Sequence, residues 1–275
     1  MSAEARDQAL SPAKLELLRR LRADRPRQAS GGPISLRDGD GSPALVLVHP
    51  VGGALFCYAP LAAALRAPSP VYGFADETGD GDEPPAERVP RLAKEYLDRL
   101  RESGIPRPWV VGGWSFGGLV AYEMARIEGE SSPVLLLDAA FTSDDEPTWS
   151  EQKLRSYFAQ DVTGLAGTTA ETDDLEELGA RAGLSSEELR KRYRIFHTNA
   201  LGLLAYRPGP YAGPVTLVHA DRSPDVSADW ARVVSGPLRS HTVPGDHYQI
   251  VSGAVAEPLG RIVDQVLASA GGGSW

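Results

Sequence analysis

The sequence predicts an α/β fold: a mostly parallel sheet with helices on both faces and a helical insertion over one end. Three observations carry this reading. Short continuous apolar runs, Ala44–Val48 and Val134–Leu137 among them, have the character of parallel strands buried on both faces. Helical stretches alternate with those runs, the order that builds a parallel sheet. Finally, the apolar run Trp109–Val111 leads into Gly113-Trp114-Ser115-Phe116-Gly117 and then into helical Leu119–Arg126, which is G-x-S-x-G set between strand, sharp turn and helix.

Taken in order, the chain opens with Ser11-Pro12 ahead of Ala13–Arg22, a helix with Ser at the N-cap and Pro at the first helical position. Met1–Gln28 holds seven Lys/Arg against four Asp/Glu, opposite in sign to the rest of the chain. Arg25–Pro33 reads as a linker, so residues 1–33 form an N-terminal helix and linker, and 34–275 the main domain. There, Ile34–Arg37 is a first edge strand, Ala44–His49 a buried strand, and Val51–Leu65 a loop followed by a helix. Val71–Phe74 is a short strand, Asp76–Pro85 an exposed acidic loop, and Pro90 opens a helix to about Glu102. The serine strand and helix and the strand Val134–Asp138 follow. Alternation then stops. From about 141 to 207 the pattern is helical only, with candidates at Trp149–Gln160, Asp173–Ala182 and Ser185–Tyr206, the last with a capping start. Strands return at Val215–His219 and Leu238–Val243, and a helix from about Val255 to Ser269 closes the domain. A helical block between two strands reads as a lid over the sheet's carboxyl end, where ligands bind in such folds.

At 275 residues the chain suits one large domain or one domain with an insertion. Its net charge of −9 argues against a general nucleic-acid binder. The sequence has no apolar span long enough for a membrane, and Met1–Leu10 is too polar for a signal peptide, so a cytoplasmic location is expected. The single cysteine, Cys57, excludes an internal disulfide framework and a thiolate metal cluster; it falls in a predicted helix among Leu55, Phe56 and Tyr58 and reads as a buried structural thiol. The sequence shows no phosphate-binding loop, dinucleotide fingerprint or zinc-ligand spacing, and the chemistry it suggests requires no cofactor or metal.

A serine hydroxyl is a weak nucleophile and needs a base, usually a histidine oriented by a carboxylate. In this architecture the expected chain order is Ser, Asp or Glu, then His. Of the histidines after Ser115, His197 falls in a lid helix and His241 in a strand, while His219 ends a strand. His247 lies in the loop between the last strand and last helix, where the base belongs; Asp246 beside it shapes the turn. Two acids compete for the third role. Asp138 ends the strand after the serine helix and Asp221 ends the next one; Asp138 is favoured, because a charge at the end of a buried strand needs a partner. If Asp221 is not the acid, it caps a turn. The tetrahedral intermediate needs backbone donors. Phe116 supplies one amide; in His49-Pro50-Val51-Gly52-Gly53 the first available is Val51, since Pro50 has no N–H, with Gly52 the alternative. His49 is expected to hold this loop rather than take part in chemistry.

With those residues in place, the chain resembles the thioesterase domains that end non-ribosomal peptide and polyketide synthases, within the α/β-hydrolase superfamily. The resemblance rests on His49–Gly53, Gly113–Gly118, Leu137-Asp138 and Gly245-Asp246-His247, and covers about Ile34 to Leu267. Asp138 as the acid matches these terminal domains; stand-alone editing thioesterases usually place it where Asp221 sits. The resemblance implies an acyl chain delivered as a thioester on the phosphopantetheine arm of a carrier protein. Ser115 would take the chain with His247 as base, and water or an internal nucleophile would release an acid or a macrocycle. A stand-alone editing thioesterase or small-ester hydrolase is the alternative. Phe196, Leu201, Leu204 and Tyr206 are candidates for a channel wall, with ordinary packing of helix on core an equal reading.

Overall fold

The computed structural model describes residues 31–77, 79, 83–129, 132–142, 149–166 and 185–272. The expected helices at 11–22 and 173–182 lie outside them. Seven strands form one sheet: β1 (Ile34–Arg37), β2 (Ala44–Val48), β3 (Val71–Phe74), β4 (Trp109–Trp114), β5 (Val134–Leu137), β6 (Val215–Ala220) and β7 (Leu238–Val243). Their order across the sheet is β1-β3-β2-β4-β5-β6-β7. β1 runs antiparallel to β3, and every other pairing is parallel. The α/β class and the mostly parallel sheet are therefore as the apolar runs indicate.

Side chains alternate between the two faces along each central strand. On one face Val46, Val48, Val111 and Leu136 pack with Leu92, Tyr96 and Leu97 of α2 (Pro85–Glu102) and Leu119 and Val120 of α3 (Phe116–Glu128). On the other, Leu45, Leu47, Val110 and Leu135 pack with Leu61 of α1 (Ala59–Ala64) and Leu259, Val263 and Val266 of α7 (Ala256–Gly272). The lid contributes α4 (Glu151–Ala166) and α5 (Ser186–Ala205), whose facing residues Leu154, Phe158, Leu189 and Phe196 make a small core of their own. The Ser185 hydroxyl caps α5 by accepting from the Glu188 amide at 3.2 Å, as the sequence signal predicts.

Three local expectations are corrected. α2 starts at Pro85, not Pro90, which sits inside the helix. Pro90 removes one backbone bond there, but Arg88 and Val89 on the added turn are buried, and that packing outweighs the local preference. Cys57, placed in a helix from sequence, lies in the 3-10 turn Phe56–Tyr58 ahead of α1; it is buried, as expected. Between β6 and β7 a seven-residue helix, α6 (Ser227–Val233), was not anticipated. It is anchored by Trp230, which is buried and donates its indole N–H to the Ala139 carbonyl at 2.8 Å.

Candidate active site

The loops that carry the candidate residues all leave the carboxyl ends of parallel strands: the 49–53 loop after β2, Ser115 after β4, Asp138 after β5 and the 244–248 loop after β7. Ser115 links β4 directly to α3, with φ 57° and ψ −126°. That left-handed backbone is costly for a residue with a Cβ, and it is held by neighbours on both sides. The Ser115 amide donates to the Leu137 carbonyl at 2.9 Å, and its own carbonyl accepts from Gly118 at 3.0 Å. A Cβ on Gly117 would overlap the Val48 carbonyl oxygen, and one on Gly113 would overlap Gly117 itself, so both glycines are required by close backbone approach. Tyr58 ties the same corner together: its buried phenol donates to the Val48 carbonyl at 2.6 Å and accepts from the Trp114 amide at 2.8 Å.

Asp138 also has a positive φ, 46°, a conformation Asp tolerates better than most residues. It is nearly buried, and its carboxylate accepts three hydrogen bonds. Oδ1 takes the Ala220 amide at 3.0 Å, and Oδ2 takes the Ser223 hydroxyl at 2.6 Å and the His247 Nδ1–H at 2.7 Å. Burial alone would raise its pKa, but the bonds from His247, Ser223 and Ala220 outweigh burial and hold it below the usual carboxylate value. With Nδ1 donating to Asp138, His247 Nε2 is left as the proton acceptor. The imidazole packs on Trp114, the residue before Ser115, with ring centroids 4.9 Å apart. No hydrogen bond joins Ser115 Oγ to His247 among the described residues; such contacts commonly tighten only when substrate is bound.

The competing candidates are placed elsewhere. Asp221 accepts from the Gly245 amide at 2.9 Å and so braces the loop that carries His247. Asp246 accepts the amides of Tyr248 and Gln249 at 3.1 and 3.0 Å, shaping the turn. His197 lies 3.5 Å from Glu151 on the lid, and His219 meets Thr242 at 3.0 Å on the sheet's far strands. His241 lies in β7.

The 49–53 loop is held from beneath and above. Buried His49 bonds Tyr96 at 2.9 Å and the Pro50 carbonyl at 2.8 Å, which is the supporting part expected of it; burial lowers its pKa, favouring the neutral ring. The Gly53 amide closes a turn onto the Pro50 carbonyl at 2.9 Å. The Val51 and Phe116 amides find no acceptor among the described residues. From above, Asn199 of α5 donates to the Val51 carbonyl at 3.0 Å and accepts from Arg88 at 2.9 Å. Arg88, itself buried, pairs with Asp76 and with Glu83. Lid, loop and α2 are thus joined by a buried polar network that no sequence motif announces.

A second buried acid reaches the same loop. Asp161 of α4 is 5% exposed, and a Cβ at Gly52 would lie 2.6 Å from its Oδ2. Of the residues proposed as a channel wall, Phe196 is buried in the lid core and Tyr206 is buried with its phenol donating to Glu123 at 2.7 Å. For these two, ordinary packing is the correct reading.

Comparison with known proteins bears on the family and the fold. A family model described as "Thioesterase domain" matches residues 43–264. A dimodular nonribosomal peptide synthase from Bacillus subtilis (strain 168) is 26% identical over 273 residues, covering 92% of this chain; the chain spans only 11% of that relative's length. A four-domain nonribosomal peptide synthetase superposes with a TM-score of 0.75 over 85% of this chain and 20% of that one, at 23% identity, a likeness of fold. The NocB thioesterase domain, solved as a covalent complex with a fluorophosphonate nocardicin G analog, gives a TM-score of 0.63 at 26% identity, over 83% of this chain and 96% of that domain. Among the described residues no helix is long and apolar enough to cross a membrane. On these matches, together with the seven-stranded α/β-hydrolase sheet, the chain belongs to the thioesterase domain family.

Proposed function

We propose that this domain releases a peptide or polyketide chain from the phosphopantetheine thioester of a carrier protein through an acyl-Ser115 intermediate. The observation that carries the proposal is the strained Ser115 turn beside a His247 whose Nδ1 bonds buried Asp138 at 2.7 Å. His247 Nε2 accepts the Ser115 proton as Oγ attacks the thioester carbonyl. The oxygen that gains charge is received by the Val51 and Phe116 amides, the latter at the N-terminus of α3. The C–S bond then breaks, and the thiolate leaves with the proton from His247. Deacylation repeats the sequence with water, giving an acid, or with an amine or hydroxyl of the chain itself, giving a macrocycle. The reaction needs no cofactor of the domain's own; the pantetheine arm belongs to the partner. Asp221 braces Gly245 rather than the base, so the geometry lends no support to the alternative in which it orients His247.

The proposal is tested by incubating the protein with an acyl-pantetheine thioester, following thiol release and trapping the intermediate for mass spectrometry. The expected result is an adduct on Ser115, absent in Ser115→Ala, with thiol release reduced by about three orders of magnitude or more. Wild-type protein giving neither adduct nor thiol would overturn it.

A further inference from the structure

Asp161 is unexplained by the chemistry above. The residue is 5% exposed, and its carboxyl forms no hydrogen bond or ion pair with any described residue. A buried carboxylate without a partner is costly, and native structures rarely keep one without reason. It also lines a cavity of about 60 Å³ between the lid and the 49–53 loop, room for a small group rather than a whole chain. The walls include Pro50 and Gly52 from the loop, Phe56 below, and Phe158, Asp161 and Arg192 from the lid. Neither neighbouring basic side chain forms an ion pair with it. Arg192 donates to Glu188 at 2.9 Å, and His247 to Asp138 at 2.7 Å. Burial lifts the Asp161 pKa to about 7, with His247 and Arg192 drawing it partly back, so a further cation would complete its ionisation.

Its position gives that cation a direction. Asp161 Oδ2 lies against Gly52, the residue after the proposed oxyanion donor Val51. A bare negative charge at this point opposes the charge that develops on the acyl oxygen. A positive group held between the two reverses the effect: it satisfies the carboxylate and adds to the field that stabilises the oxyanion. The cavity shares the 49–53 loop with the oxyanion site, Pro50 and Gly52 lining the one and Val51 between them serving the other, so a group held there belongs to the acyl end of the chain rather than to its far end. The α-amine of an aminoacyl group, or the amine of a short side chain on the last residue, meets both conditions.

We propose that Asp161 is a specificity-determining residue that receives the ammonium group of the acyl substrate, so that the domain favours an aminoacyl group, or a chain whose last residue carries a short amine side chain, over acyl groups without a free amine near the thioester carbonyl. This rests on acyl transfer at Ser115 and adds to it the class of chain accepted. The test compares alanyl-pantetheine with propionyl-pantetheine, which differ by one ammonium, on the full chain and on Asp161→Asn. Wild type is expected to favour the alanyl thioester in kcat/KM by about tenfold or more, after correction for uncatalysed hydrolysis. Asp161→Asn is expected to lose that preference, chiefly by gaining on the propionyl substrate, since the opposing charge is gone. Equal ratios in the two proteins would overturn the proposal. Calorimetric binding of the corresponding pantetheine amides, which cannot react, reads the same preference without turnover: about tenfold tighter binding of the alanyl amide, lost in Asp161→Asn, is expected. No difference between the amides with wild type would overturn the role of Asp161 whatever the state of catalysis. Absence of thiol release and of fluorophosphonate labelling at Ser115 would count against the acyl-transfer reading instead.

Discussion

Asp138 accepts three hydrogen bonds on two oxygens, an arrangement that only a carboxylate can satisfy. Asparagine at 138 keeps one acceptor oxygen and turns an N–H₂ toward either Ala220 or the His247–Ser223 pair. If it faces His247, the imidazole is driven to the other tautomer, with no lone pair toward Ser115. Asp138→Asn is therefore expected to lower kcat by about 10³–10⁴ with KM changed little. Asp221→Asn keeps the oxygen that Gly245 needs and is expected to leave kcat within about threefold; steady-state kinetics on one thioester checks both. Stability carries a second readout. The folded pKa of Asp138 is held below its ordinary 3.8, so its contribution is present above that value and lost as pH falls through the folded one. Asp138→Asn should thus melt lower than wild type near neutrality, and the gap should close in thermal melts stepped down to pH 4 and below. Ser115, His247 and Asp138 were legible because chain order and strand ends confine each to a loop at one edge of the sheet. Ser223 was not, since its bond to Asp138 spans 85 residues and depends on a turn that no motif marks. Asp161 did leave a trace: Leu154, Phe158 and Asp161 fall at helical spacing, which places an acid on the apolar stripe of α4.

Between elements, the consequential contact is that of α4 with the loop after β2. Gly52 has no side chain to collide with Asp161, and a Cβ there would stand 2.6 Å from Asp161 Oδ2, too short for the two to coexist unmoved. Because the obstacle is the end of a side chain rather than backbone, Gly52→Ala is expected to displace Asp161 and the loop modestly, at a cost of about 1–3 kcal/mol. Removing the obstacle restores room. The double variant Gly52→Ala/Asp161→Ala is expected to recover at least about 1 kcal/mol relative to the sum of the single changes. Urea melts of the four proteins measure that coupling, and strict additivity would show that the lid helix does not press on the loop. The sequence made the helices of the lid visible through spacing and the Ser185 cap, and the boundaries of α5 differ from expectation by one residue at each end. What it did not show was how the lid docks. The Asn199 bonds to Val51 and Arg88 span 148 and 111 residues, and such pairings leave no periodic signature. For the same reason the start of α2 was misplaced: the burial of Arg88 and Val89, not the proline, decides where that helix begins.

At the scale of the whole molecule the core is divided in three: one cluster on each face of the sheet, and a third inside the lid. The first two were readable from strands that are apolar on both sides, which is why the fold class followed from the sequence with little ambiguity. The third depends on contacts between α4 and α5 that only the folded chain assembles. It is also much the smallest; Val51 packs against it, and α5 reaches the body by lying along α2, with Leu203 and Tyr206 on the first core, and through the polar network of Asn199, Arg88 and Asp76. Few buried apolar groups make an element open at a lower free energy than the sheet beneath it. Native-state hydrogen exchange should then find α4 and α5 exchanging through a local opening, ahead of β2, β4 and β5, which exchange only on global unfolding. Phe158→Ala removes the central ring of the lid core, where it meets Tyr193 and Phe196 edge to face with centroids 5.2 and 5.4 Å away. The loss is expected to be about 3–5 kcal/mol, and to appear almost wholly in the lid amides, with protection in the sheet unchanged. Equal loss of protection in lid and sheet would mean that the domain unfolds as one unit. A selective loss would carry a further consequence, since the Val51 carbonyl is held by a lid residue: each opening of the lid would also free the Val51–Gly52 peptide, next to the Val51 amide proposed to receive the oxyanion, and exchange at the Val51 and Gly52 amides should rise together with that of α5.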